Sequence, residues 1–160
     1  MSSLLERIER RVVSFQTPAA GAEMNLTALG LGTWRLLSLL FTFTASAVVA
    51  VRQLSLAIDD GTTTVWRGTT ANTQAANSSN VYELLPQAIP TALINGLVLM
   101  AMPPEGLILP RGWRLRSTTL LIDVGDQYSA ISAYVEELPD GPYDRYTPYQ
   151  PTYDTPWDAP

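Results

Sequence analysis

Three pairs of carboxylates stand close enough in the sequence to act together: Asp59 and Asp60, Asp123 and Asp126, and Glu136 and Glu137. Two carboxyl groups flanking a glycosidic bond can cleave it, and clustered carboxylate oxygens can hold calcium. The surroundings of each pair point elsewhere. The first two fall in predicted turns, where aspartate bonds to its own backbone, and adjacent residues on a strand, as at Glu136 and Glu137, face opposite sides. The chain has no cysteine and no histidine, which removes disulfides, thiolate zinc sites and imidazole acid–base chemistry. Neither an enzyme nor a cofactor nor a metal is expected.

The basic residues are all arginines. Arg111, Arg114 and Arg116 lie close together, and on a strand Arg114 and Arg116 share a face that suits a phosphate, a nucleic-acid backbone or an acidic protein surface. With Glu136, Glu137 and an acidic C-terminal segment in the same chain, salt bridges to protein are the expected use. Arg7, Arg10 and Arg11 form a second basic spot. The net charge of −5 argues against a nucleic-acid partner. Trp34, Trp66 and Trp113 could line a sugar-binding face, but at strand positions core or edge packing is the simpler use. Asn25-Leu26-Thr27 and Asn77-Ser78-Ser79 match glycosylation acceptors. No export signal accompanies them, because "MSSLLERIERRVVSF" interleaves Glu and Arg where a signal peptide needs an uninterrupted apolar core.

These side chains must be positioned by a single core, since 160 residues suit one domain. The charged fraction of 16% is well below the usual value of roughly 25%, so much of the surface is small and polar or is covered by other chains. Leu36 to Val51 is uncharged but shorter than the roughly 20 residues that span a bilayer, and no membrane role is expected.

From Ala22 to Leu138 apolar residues alternate, with turn signals every ten or so positions, the pattern of an all-β sandwich or barrel. "WRLLSLLFTFT" from Trp34 is apolar on nearly both faces and predicts a strand covered on both sides. "QLSLAI" sends Leu54, Leu56 and Ile58 inward, and "DDGT" predicts a tight hairpin into "TTVWR". Gly68 to Asn80 reads as a long polar loop, and strands follow at "VYELL", "ALINGLVLMAM", "LIL", "WRLRSTTLLID" and "QYSAISAYVEEL". In the last, Ile131, Ala133 and Val135 alternate against Tyr128, Ala130 and Tyr134. The fold expected is a jelly-roll-like β-sandwich of about eight strands over residues 22–138.

Both ends differ from this body. "SLLE" at Ser3 to Glu6 is a capping box, Leu4, Leu5, Ile8 and Val12 share a side at helical spacing, and Glu6 and Arg10 can pair one turn apart. A short amphipathic helix is therefore predicted within residues 1–21. So short a helix is marginal in water and needs a surface to dock on. Residues 139–160 are rich in Pro, Tyr and Asp and cannot bury enough area to fold alone, so they read as an extended arm whose Tyr143, Tyr146, Tyr149, Tyr153 and Trp157 serve as anchors on a neighbour.

"WRLLSLLFTFTASAVVAVRQLSLAIDDGTTTVWR", "LPRGWRLRSTT" and "VGDQYSAISAYVEEL" resemble small β-sandwich virion proteins of tailed bacteriophages, over roughly Ala22 to Leu138. The resemblance implies a structural component of head, neck or tail, assembled as a homo-oligomer with a trimer favoured, and no cofactor. Capsid decoration or a minor head protein is the expectation, bound to major capsid or neck and tail proteins through Leu4, Leu5, Ile8, Val12, Arg114, Arg116 and the C-terminal aromatics. The alternative is a neck or tail adaptor, or a tail-tip receptor that binds glycan.

Overall fold

The computed structural model describes residues 9–28, 32–88 and 96–139. These form ten strands: β1 (Glu9–Ser14), β2 (Asn25–Thr27), β3 (Gly32–Thr44), β4 (Leu54–Asp59), β5 (Thr64–Thr69), β6 (Ser79–Pro86), β7 (Leu97–Met102), β8 (Leu107–Leu109), β9 (Arg114–Thr119) and β10 (Gln127–Pro139). The chain is all-β. Among the described residues no helix is long and apolar enough to cross a membrane.

Pairing is nested. β1 pairs with β10, β2 with β9, β3 with β6 and β4 with β5, each antiparallel. One long hairpin is thus doubled over, and successive pairs fall alternately into sheets of order β1-β10-β3-β6-β7 and β2-β9-β4-β5. Eight strands so wound around one core make a jelly roll. β7 and β8 are an excursion between β6 and β9: β7 runs parallel beside β6, and β8 pairs with the first part of β3.

The predicted N-terminal helix is replaced by a strand over residues 9–14. Arg11, Val13 and Phe15 turn toward the core side while Arg10, Val12 and Ser14 turn away, a period of two that the capping box upstream obscured. Arg10 pairs with Glu136 and Arg11 with Glu137 on β10; Glu6, the helical partner expected for Arg10, lies outside the described residues. Leu4, Leu5 and Ile8 lie outside the described residues.

A second correction concerns β3, expected to be covered on both faces. Trp34 and Leu36 point inward, and so do Leu39, Phe41 and Phe43, whereas Leu40 is 40% exposed. The parity changes because the β3–β10 register slips by one residue between Tyr134 and Val135, leaving Leu37 as the extra residue. A second slip between Ser129 and Ser132, with Ala130 at φ 49°, moves Tyr128 to the core face beside Ile131. Sequence alternation had placed Tyr128 opposite. Its ring packs 4.7 Å from Phe43, and Phe41 stacks on Tyr82 at 5.2 Å. Between the sheets Leu54, Leu56, Ile58, Leu84, Met100 and Leu115 complete an apolar core.

The hairpin at Asp59 to Thr62 forms as expected, with Gly61 at φ 102° where a side chain would be strained. The Gly68–Asn80 loop is shorter than predicted: β5 runs through Thr69 and β6 begins at Ser79. Gln74 in this loop is buried. Its amide donates to the carbonyls of Phe43 and Ser78, and its carbonyl oxygen accepts the Tyr82 hydroxyl at 2.6 Å. Burial pushes the Tyr82 phenol up to about 12.

Candidate functional site

The winding brings four connections to one end of the sandwich: residues 15–24, 45–53, 70–78 and 120–126. Loop backbone must find hydrogen-bond partners when covered, and here one arginine supplies many of them. Arg52 is fully buried. Its Nε and Nη2 donate to the two carboxylate oxygens of Asp126 at 3.0 Å each, Nη1 donates to the carbonyls of Val48 and Ala50, and Nη2 also reaches the Ser46 hydroxyl. The backbone of Arg52 bridges to Gln74 in both directions. Burial pushes the Asp126 carboxyl up, but amide donors from Ser46 and Asp123, with Arg52, outweigh it and hold the group below its ordinary value.

This clamp fixes two loops whose outward side chains are aliphatic. Val49 is 95% exposed and Val124 80%, and Val48, Val51, Leu120 and Leu121 are each more than half exposed. Single exposed aliphatic residues are ordinary. Six of them on two mutually bonded loops, in a chain so poor in charge, are not. Among the described residues the charged ones at this end are Glu23, Arg52, Asp123 and Asp126, and each is occupied inside the chain. Asp123 accepts from the Ser46 hydroxyl and the Gly125 amide. Glu23 accepts from the Ser117 hydroxyl at 2.5 Å, the Thr119 amide at 2.5 Å and the Thr119 hydroxyl at 3.1 Å.

The opposite end carries the arginines singled out from the sequence. Arg114 Nε donates to Asp59 Oδ1 at 2.6 Å, and Arg116 Nε lies 2.5 Å from Oδ2, a pairing of charges without hydrogen-bond alignment. Among the described residues the partner of Arg114 and Arg116 is therefore Asp59 of the neighbouring strand, whereas Glu136 and Glu137 pair with Arg10, Arg35 and Arg11. The Arg114 hydrogen bond is the main cause holding the Asp59 carboxyl below its ordinary value. Both aspartates also serve the turn as expected: Asp59 accepts the Gly61 amide at 2.9 Å, and Asp60 accepts from the Thr62 and Thr63 amides, which lowers its pKa to about 2. Glu136 is buried beneath Arg10 and Arg35, which donate to its two oxygens at 3.0 and 2.8 Å. Arg11 lies 5.9 Å from the Trp34 ring centroid.

Of the predicted contact residues, Val12 is exposed on β1, 68% accessible. Tyr143, Tyr146, Tyr149, Tyr153 and Trp157, like Leu4, Leu5 and Ile8, lie outside the described residues. Trp34 is in the core, with Trp66 and Trp113 packed against it. No group of three or more His, Cys, Asp or Glu side chains able to hold a metal ion occurs among the described residues. The sequence reading missed the Arg52 clamp. Its one signal was a lone charge between Arg35 and Asp59 in an otherwise uncharged run.

No protein-family model matches this sequence, and no curated protein does. Two solved structures of infectious bursal disease virus align with most of the chain. With the crystal structure of its T13 viral particle the TM-score is 0.38 at 14% identity, covering 81% of this chain and 31% of that one. With the structure of the Gt strain the TM-score is 0.34 at 13% identity, covering 82% and 31%. The chain thus spans about a third of the length of those it aligns with, and likeness this distant carries no inference about what it does.

Proposed function

We propose that this chain is a non-catalytic structural component of a virion, most specifically a capsid decoration or minor head protein of a tailed bacteriophage, which binds its neighbours through the uncharged end of the sandwich. One observation carries the reading: six exposed aliphatic side chains stand on loops tied by the buried Arg52–Asp126 pair, at an end whose charges, among the described residues, are all internally occupied. A preformed apolar surface loses little conformational freedom on docking. Each Val or Leu it covers contributes about 1.5–3 kcal/mol, and repetition over a particle multiplies weak contacts into stable attachment. The buried carboxylates serve as strand and loop ties, which supports a role without chemistry. The sequence resemblance to small phage virion proteins supplies the particle.

The test is co-sedimentation of the full chain with particles of the phage that encodes it. Val49→Asp with Val124→Asp is expected to reduce the bound fraction at least tenfold while the circular dichroism spectrum stays unchanged. Undiminished binding would overturn the reading. Glu105→Gln, at the other end, serves as the control expected to bind normally.

A further inference from the structure

The sandwich has a second opening, on its long side. β1 is the outermost strand of one sheet and β2 of the other. Between them lies an open groove of about 500 Å³, walled by Phe15, Pro18, Leu26 and Ile131 with Asn25 and Thr27 on one rim. Its rim offers backbone as well as side chains. The Ser117 amide donates to Met24 and the Ala28 amide to Trp113, so by antiparallel alternation Asn25 and Thr27 turn their peptide groups away from β9 and toward the groove. Phe15 donates its amide to Ile131, so Ser14 on the facing strand likewise turns its peptide groups outward.

We propose that this groove receives residues 140–160 as an extended, proline-rich segment, an inference that rests on the assembly reading above by giving the arm its docking place. Position supports that occupant. β10 ends at Pro139 beside the start of β1, where Glu137 pairs with Glu9, so the chain leaves on the same long side that holds the groove. From Pro139 back to Ile131 the strand covers about 26 Å at roughly 3.3 Å per residue. A polyproline-type segment rising about 3.1 Å per residue recovers that distance near Pro148 and Tyr149, with enough chain left to cross the groove.

Chemistry supports it as well. Proline lowers the entropy lost when a segment docks, and its missing N–H leaves carbonyls in need of donors. The amides of Asn25 and Thr27 can meet that need. A space of this size, apolar with a few polar groups, takes one or two aromatic rings, and the segment spaces tyrosines at 143, 146, 149 and 153. It also carries four aspartates against one arginine. Its path from Pro139 passes Arg10 and Arg11, whose side chains are 62% and 42% exposed.

The chain has no native cysteine, so crosslinking is clean. The full chain carrying Thr17→Cys and Tyr149→Cys is oxidised and resolved on a non-reducing gel, beside a control carrying Val65→Cys and Tyr149→Cys. Val65 is 55% exposed on β5, the far edge of the other sheet. The groove pair is expected to close at least tenfold faster. A monomeric product assigns the arm to its own groove and a dimeric product to that of a neighbouring copy; both uphold the proposal. Equal rates for the two pairs overturn it. In a second measurement, Tyr146→Ser with Tyr149→Ser is expected to speed alkylation of a lone Thr17→Cys severalfold, and an unchanged rate again counts against groove occupancy. Failure in both, alongside particle binding that still depends on Val49 and Val124, would remove the groove and leave the assembly reading intact.

Discussion

At the end of the sandwich where β3 leads into β4, the charged groups of the described residues turn inward, each bound to backbone, to hydroxyls or to one another, and valines and leucines stand exposed on two of its loops. At the other end Arg10, Arg35 and Glu136, like Asp59, Arg114 and Arg116, tie strand to strand with their guanidinium groups partly in water. The same pair of residue types thus does two jobs. Fully buried, an arginine–aspartate pair organises loops that no alternation pattern could hold. Half exposed, it fastens neighbouring strands and leaves a surface that repels apolar partners.

The contrast breaks most visibly at Arg52. Arg52→Ala leaves Asp126 buried without its partner and the carbonyls of Val48 and Ala50 without donors, and removal of one member of such a pair costs about 3–5 kcal/mol. Urea unfolding should show a loss of that size, and limited proteolysis should cut first within 45–51. Next in size is the response to acid. Asp59, Asp60 and Asp126 all sit below their ordinary pKa in the folded chain. The stability they contribute is therefore present above their unfolded values of about 3.9 and drains away as the pH falls through them toward the folded values, about 2 for Asp60. Thermal unfolding recorded from pH 6 to pH 2 should show the midpoint falling mainly below about pH 4.

Asp59→Asn sharpens the comparison. Its two arginines reach water, so the loss in denaturant midpoint should be clearly smaller than for Arg52→Ala; an equal loss would mean the two ends are not different in kind. Smallest of all is the effect of Val49→Asp on folding, expected within about 0.5 kcal/mol as for other exposed sites, although the same change is expected to cut particle binding severely.

How much of this was written in the sequence depends on the range of the interactions involved. β4, β5 and the turn between them were legible because alternation, Asp-Gly and β-branched residues all act within a dozen positions. So were most strands of the core. β1 was not, since the capping box and the helical spacing of Leu4, Leu5, Ile8 and Val12 are local signals, whereas the strand is selected by Glu136 and Glu137, 126 residues away in the case of the Arg10 contact. The parity switch in β3 was hidden for a related reason: Leu36 and Leu37 read as a two-faced apolar run, and only the register of β10 decides which is the extra residue. The candidate surface was the least legible. Val48, Val49 and Val51 look like core residues until the partner of Arg52 is known. Arg114 and Arg116 were found, but Asp59, placed in a turn, was not matched to them.

The nested pairing also dictates an order of events during folding. β4 and β5 meet across a four-residue turn, whereas β1 must find β10 from the far side of the chain, so the entropy of loop closure favours zippering from the central hairpin outward. High contact order of this kind puts refolding in the millisecond-to-second range. The last act is the arrival of β1, which covers the edge of β10 and becomes the outer strand of its sheet in turn.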